Sequence, residues 1–390
     1  MKIDINKVKQ IPKEISDKFG LCIYGPLSEE INSWIKHHNM DVQNMGAYSN
    51  IYTNKKMDEL FNTSEKFKHL DGFSPNLNKH LHIGHFSNLV LAKAFKSMGV
   101  ADGTLAILGD TLEGEVDKEE ALKTYHEYCN MFEYPVDLML MASEMKCSEN
   151  ILHEGSGEYE GTKVFEILEE KIVGIKSDGS TSYFYQDVAL AQMLKAPTLY
   201  LTGSEQSNHF ASLKYLFPHI KHIGLGLVKA NGSKMSSRLG NVIWMKEVLD
   251  LLMDNFKDEK LCYNVFAGLI LKSSPKSDKN INMDQIENPL NSPGLYLSYT
   301  LAKLKSAGCP CVKAEYFESQ DLQFKYMKAV NSLMPNILLE GLIDHAKKIS
   351  VLYISNKIKD NEDNQKMFDK LGAELSLGMN LLGMFDVEKV

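Results

Sequence analysis

His82 and His85 stand three residues apart in the run Ser74-Pro75-Asn76-Leu77-Asn78-Lys79-His80-Leu81-His82-Ile83-Gly84-His85. The pattern reads as a strand ending near Ser74, a polar loop across its tip, and a helix beginning near His82. A helix N-terminus offers free N–H groups and a partial positive charge, so it attracts phosphate. Two side chains three apart share one face of its first turn. Gly84 between them has no side chain, so a flat nucleotide base can approach the backbone. The segment is a candidate ATP cradle, with imidazoles donating to phosphate oxygens as charge grows in a transition state. Two other readings stay open. His80, His82 and His85 could ligate a metal, or the histidines could sit on a solvated helix start without a chemical role.

A second polar run lies about 150 residues further on: Gly232-Ser233-Lys234-Met235-Ser236-Ser237-Arg238-Leu239-Gly240-Asn241. It carries a lysine, an arginine and three hydroxyls, and could fold over a triphosphate and neutralise departing pyrophosphate. Arg238 is the single arginine among 43 basic residues. Its planar, delocalised fork is something lysine cannot copy, although one survivor of a coding bias would look the same.

The chain that must position these runs has 390 residues, 44% hydrophobic and 24% charged, with a net charge of -8. That length suggests two or three domains and permits a sizeable core without staples. An acidic balance and a pI near 5.9 argue against attachment to nucleic acid by bulk charge, while a local basic groove remains possible. Mean hydropathy is -0.24, and no run approaches the roughly 18 apolar residues of a membrane span. The opening MKIDINKVKQ has no apolar signal core, so no membrane association and a cytoplasmic location are expected. The six cysteines form no CxxC and read as reduced thiols.

Residues 1–66 mix helical and irregular patterns, with a short helix expected over 58–67. From there the pattern turns α/β. Strands are expected over 69–74, 104–108, 136–141, 198–202 and 222–227. Helices are expected over 83–98, 118–132, 143–153, 160–173, 187–194 and 209–217. Strands alternating with helices imply a mostly parallel sheet, whose ligands bind at the carboxyl ends of the strands. After about 245 the strands stop, and helices are expected over 245–255, 260–272, 296–306, 323–333, 336–356 and 363–384.

The two polar runs resemble the HIGH and KMSKS signatures of class I aminoacyl-tRNA synthetases, standing here as His82-Ile83-Gly84-His85 and Lys234-Met235-Ser236-Ser237-Arg238. The finer resemblance is to arginyl-tRNA synthetases. It rests on the Ser-Pro-Asn lead-in, Asp178-Gly179 followed by Tyr183 and Gln186-Asp187-Val188-Ala189, and Leu199-Tyr200-Leu201-Thr202-Gly203 with Gln206 and His209-Phe210. It extends to Gly232 through Asn241, Ser292-Pro293-Gly294-Leu295-Tyr296-Leu297-Ser298-Tyr299, and Leu377-Gly378-Met379-Asn380-Leu381-Leu382-Gly383-Met384. It covers about 70–390, with the motifs in order.

The resemblance implies a Rossmann-like α/β catalytic domain over 67–245 with a short insertion, after a reduced N-terminal segment over 1–66. A helical connector over 246–291 and an all-α bundle over 292–390, similar to an anticodon-binding domain, would follow. It implies ATP-dependent formation of arginyl-adenylate and transfer to tRNA(Arg), the work of a monomeric ligase. Asp71, Ser74 and Asn76 would hold the arginine α-amino group. His82, Gly84 and His85 would contact ATP, His85 also the arginine. Tyr183 and Asp187, with Gln206 nearby, would recognise the guanidinium. Lys234, Met235, Ser236, Ser237 and Arg238 would close on the phosphates, with His82, His85, Lys234, Ser237 and Arg238 acting in catalysis. Mg²⁺ would ride on the ATP phosphates, with no metal held by protein ligands alone. A guanidinium needs a carboxylate that accepts two parallel N–H bonds, and Tyr183 and Asp187, four apart, share a helix face. Taken alone, Tyr183 could be a half-buried aromatic, Asp187 a helix cap and Asp71 a solvated turn carboxylate.

The chain departs from that family in its short N-terminal part, in Gly109-Asp110-Thr111 where a longer run is usual, in Gln186 before the aspartate, and in its compact C-terminal bundle. Three functions follow: an arginine–tRNA ligase, an arginine-activating paralogue that acylates another amine or carrier, and a silent arginine- or nucleotide-binding relative.

Overall fold

A computed structural model describes residues 1–10, 19–110, 116–235, 241–312, 314–356, 358 and 361–390. The chain divides into two units, one of residues 66–262 and 275–288, the other of residues 1–65, 263–274 and 289–390. The stretch 246–291 is thus shared between them, the first division falling inside the helix Glu259–Leu271.

The first unit is built on five parallel strands. They are β1 (Phe67–Asp71), β2 (Ala101–Leu108), β3 (Leu138–Met141), β6 (Thr198–Gly203) and β7 (Ile220–Leu225), in the order β7-β6-β1-β2-β3. The numbers β4 (Lys163–Ile167) and β5 (Glu170–Ile175) belong to an antiparallel hairpin between β3 and β6. The connecting helices are α1 (Ile83–Ser97), α2 (Lys118–Met131), α3 (Tyr183–Leu194) and α4 (Ser207–Leu216), and α5 (Met245–Phe256) follows the sheet. Helix α1 buries Phe86, Leu89, Val90, Leu91 and Phe95, apolar positions that suit it to lying against a sheet. Gly99, at φ +74°, turns the chain out of it into β2. Register puts Asp71 beside Tyr200 on one side and Leu105 on the other.

The parallel sheet agrees with the sequence reading; two expected helices do not form. Over 160–173 the hairpin β4–β5 replaces helix. Leu168 and Glu169 both take positive φ, 49° and 68°, as a tight two-residue turn between twisted strands requires. Val164, Phe165 and Ile167 then bury against the core, which outweighs the helical preference of the Leu-Glu-Glu run. Over 143–153 only short 3-10 turns form, Ala142–Glu144 and Glu149–Ile151. Tertiary hydrogen bonds claim the backbone there. Ser143 N–H and Oγ donate to Asp110 at 2.9 and 2.7 Å, and Cys147 N–H to the Tyr185 hydroxyl at 3.0 Å. Ser143 is tied by a carboxylate instead of capping a helix.

The N-terminal residues are more ordered than their sequence suggests. Four antiparallel strands, in the order Lys9–Gln10, Phe19–Tyr24, Tyr48–Thr53, Asp41–Asn44, pack with the helix Glu29–His38. Only Met57–Leu60 is helical in the stretch expected over 58–67, because Phe67 already belongs to β1. Trp34 is fully buried and its indole N–H donates to Leu60 O at 3.0 Å. The core of this sheet is completed by Phe324, from the helix Gln320–Ser332 of the same unit.

That unit also holds the helices Pro293–Ser306, Pro335–Ser355 and Glu362–Leu381. Asn264, fully buried, pins the chain end by exchanging two hydrogen bonds with the Phe385 backbone, both 2.8 Å. Among the described residues no helix is long and apolar enough to cross a membrane.

Candidate active site

The carboxyl end of β1 delivers the chain into the loop that precedes α1. Asn76 bridges to Gly109 just beyond β2, where Leu77 N–H donates to Gly109 O at 2.7 Å. A Cβ on Gly109 would lie 1.7 Å from Asn76 Oδ1, so only glycine lets the loop pass so close.

Helix α1 is capped by its own imidazoles. His82 is the N-cap, and its Nδ1 accepts from Gly84 N–H at 3.1 Å. His85 Nδ1 accepts from His82 N–H, also at 3.1 Å. The rings stack with centroids 3.9 Å apart. Burial lowers the pKa of both imidazoles. For His85, which also feels His82 and Lys79, it falls to about 3. Both rings are therefore neutral near pH 7. A neutral ring that accepts at Nδ1 carries its proton on Nε2, so the helix start presents two N–H donors without adding charge.

The second polar run returns to this helix start. Val228–Ala230 and Ser233–Lys234 form a tight hairpin, with Asn231 and Gly232 at φ 48° and 81°. Lys234 is exposed. Its carbonyl accepts from Asn241 Nδ2 at 2.9 Å. The Met235 methyl lies 3.6 Å from where a Gly84 Cβ would stand. Beyond the loop, His82 bridges to Trp244, Ile83 N–H donates to Ile243 O and Met245 N–H to Leu81 O, both 3.0 Å. Ser236, Ser237 and Arg238 lie outside the described residues, as does Thr111.

A third cluster occupies the middle of the sheet. Asp71 is 6% exposed, and Ser74 Oγ donates to its Oδ1 while accepting from Ile107 N–H at 3.0 Å. Burial pushes the Asp71 carboxyl up to about 7; the Ser74 hydrogen bond opposes this and the charge of Asp187 adds to it. Asp187 projects from α3, whose start is capped by Ser182 accepting from Tyr185 N–H at 3.2 Å. Its Oδ2 meets His209 Nε2, on α4, at 2.6 Å. Tyr200, beside Asp71 on β6, is buried. Burial first, then the charges of Asp187 and Asp71, push its phenol well above the ordinary range. Its hydroxyl has no hydrogen-bond partner among the described residues. Two carboxylates within electrostatic reach, one of them buried, favour cationic groups placed beside them.

The structure thus brings together Asp71 with Ser74, Asp71 with Asp187, His82 with His85, and Gly84 with Met235. Tyr183 opens α3 but is half exposed, and Gln206 is exposed on the turn Ser204–Gln206. No hydrogen bond among the described residues joins either to Asp187. His209 and Tyr200 carried no individual role in the sequence reading. His209 entered that reading only within the His209-Phe210 pair of the resemblance. No group of three metal-ligating side chains is gathered among the described residues.

A parallel sheet, a helix start with paired imidazoles and a lysine-bearing hairpin beside it make up the candidate site. No protein-family model matches the chain. It is 28% identical over 237 residues to the arginine–tRNA ligase of Limosilactobacillus fermentum, covering 49% of this chain and 42% of that protein. It is 26% identical over 260 residues to that of Oenococcus oeni, covering 54% and 46%. The chain thus matches less than half the length of these relatives. The arginyl-tRNA synthetase structure from Thermus thermophilus shares its fold with a TM-score of 0.64 at 16% identity, covering 98% of this chain and 96% of that one. The corresponding structure from Plasmodium falciparum gives 0.60 at 15%, covering 97% and 96%. In sequence over about half its length, and in fold, the chain is arginyl-tRNA synthetase-like.

Proposed function

We propose that this chain activates L-arginine with ATP and transfers the arginyl group to tRNA(Arg). The observation that carries the reading is the pair of carboxylates within electrostatic reach of each other, Asp71 at the end of β1 and Asp187 on α3, in the unit that also holds the helix start at His82. Asp187 takes the guanidinium, since a carboxylate plane matches its parallel N–H groups. Asp71, held by Ser74 and assisted by Asn76, takes the α-ammonium. Tyr183 and Gln206 border the guanidinium subsite from its exposed side. The arginine carboxylate attacks the α-phosphate of ATP, the α–β phosphoanhydride bond breaks, and pyrophosphate leaves. The terminal ribose hydroxyl of tRNA then attacks the acyl carbon and AMP leaves.

The first step needs placement and charge neutralisation more than a protein nucleophile. His82 and His85 donate Nε2–H to phosphate oxygens, Gly84 admits the base, and Met235 closes over it. Lys234, Ser236, Ser237 and Arg238 neutralise the pyrophosphate. Mg²⁺ would be carried by the ATP phosphates. The helical bundle, similar to an anticodon-binding domain, and the N-terminal sheet would meet the tRNA.

Pyrophosphate exchange with arginine, with and without tRNA(Arg), tests the reading, followed by assay of arginyl-tRNA. Arginine-dependent exchange together with arginyl-tRNA is expected. Exchange without arginyl-tRNA would overturn the acceptor, and absence of exchange in both conditions would overturn the activity.

A further inference from the structure

Asp187 can grip a planar cation only if its own plane is fixed, because a carboxylate free to rotate about its last torsion attracts any cation alike. Among the described residues one hydrogen bond restrains it, the 2.6 Å contact of Oδ2 with His209 Nε2. Aspartate accepts only, so in this contact His209 carries the proton on Nε2. The imidazole is itself held: it meets the Phe184 ring edge-on with centroids 5.1 Å apart, and the Phe210 ring at 5.0 Å. Both partners are about one-fifth exposed, His209 at 22% and Asp187 at 19%. The bond uses one acceptor position of Oδ2 and leaves Oδ1 and the remaining lone pair of Oδ2 in a set orientation.

We propose that His209 is a positioning residue that determines specificity for a guanidinium: by holding one oxygen of Asp187, it fixes the plane in which the carboxylate meets two parallel N–H donors. This rests on the arginine-activating reading above. The residue touches the carboxylate and not the substrate, so its loss weakens recognition of arginine without touching the ATP subsite. A lysine-like ammonium, which binds as a point charge and needs no plane, loses less.

Two variants separate this role from packing. His209→Phe keeps an aromatic ring against Phe184 and Phe210 but removes the donor. His209→Gln removes the ring and keeps an N–H that reaches the carboxylate. Arginine and lysine binding are measured by calorimetry, and KM for arginine and for ATP by pyrophosphate exchange with tRNA(Arg) present. For His209→Phe, arginine affinity falls roughly tenfold or more, as expected for a hydrogen bond to a charged group. KM for ATP stays within about twofold, and the preference for arginine over lysine narrows. His209→Gln recovers most of the lost affinity. Equal arginine affinity in wild type and His209→Phe would overturn the proposal, as would a loss in His209→Gln larger than in His209→Phe, which is the order a packing role gives. If the wild-type protein itself binds no arginine, the functional reading fails, and the His209 proposal with it; wild-type binding with unchanged variants sinks the proposal alone.

Discussion

His82 and His85 stack with ring centroids 3.9 Å apart, each giving its Nδ1 to a backbone N–H of the same helical turn. The backbone thereby selects the tautomer, and burial keeps both rings uncharged. In the proposed reaction two neutral donors would strengthen their hydrogen bonds as negative charge develops on phosphate, without binding the ground state by charge. His85→Ala should cut the pyrophosphate exchange rate at saturating ATP by at least about tenfold, on the order of 1.4 kcal/mol. A near-normal rate would contradict the phosphate contact.

Gly84 separates local stability from chemistry. Alanine is the better helix former by roughly 0.5–1 kcal/mol, yet its Cβ would come within 2.8 Å of the His82 ring and 2.9 Å of its Nδ1. The ring must move and the Gly84 N–H bond is lost. Gly84→Ala should keep the thermal midpoint within a few degrees while exchange falls about tenfold or more. A fully active Gly84→Ala protein would show that the His82 orientation is irrelevant.

Asp71 gives the protein a pH signature. Its folded pKa, raised by burial to about 7, lies above the ordinary 3.8. Between those values the folded state holds a proton that the unfolded state has released, so this group's contribution to stability falls as pH rises from about 4 to 7. The depressed imidazoles of His82 and His85 act in the opposite sense below 6.5, so the comparison must be between wild type and Asp71→Asn. The variant should gain stability relative to wild type as pH rises from 5 to 8, measured by urea unfolding without ligand. Arginine binding should strengthen over the same interval in wild type only, since the α-ammonium needs the ionised carboxylate. A stability difference independent of pH would remove Asp71 from that role.

What the sequence made legible was local. The apolar run of α1, the glycine that ends it, and the two polar runs at its start and on the returning loop each fit within a dozen residues. The rest depends on distant partners. The helix expected over 160–173 became a hairpin because Leu168 and Glu169 accept left-handed backbone. The N-terminal strands escaped notice because Asp41–Asn44 is exposed on every residue and because the core they share is closed by Phe324. Asp187 was expected to meet a guanidinium by resemblance alone. The histidine hydrogen-bonded to it lies 22 residues away across a crossover, and Tyr200 meets Asp71 only through strand register. Neither pairing leaves a spacing signal.

The central claim is that the Asp187 carboxylate selects a forked cation. Citrulline keeps the shape of arginine but replaces the charged guanidinium by a neutral ureido group. The most direct measurement is the ratio of exchange efficiency, kcat/KM, for arginine and citrulline in wild type and in Asp187→Asn, with tRNA(Arg) present. A wild-type preference for arginine of at least about a hundredfold that collapses to within a few fold in Asp187→Asn would match a charge-assisted pair. An undiminished preference in Asp187→Asn would contradict it.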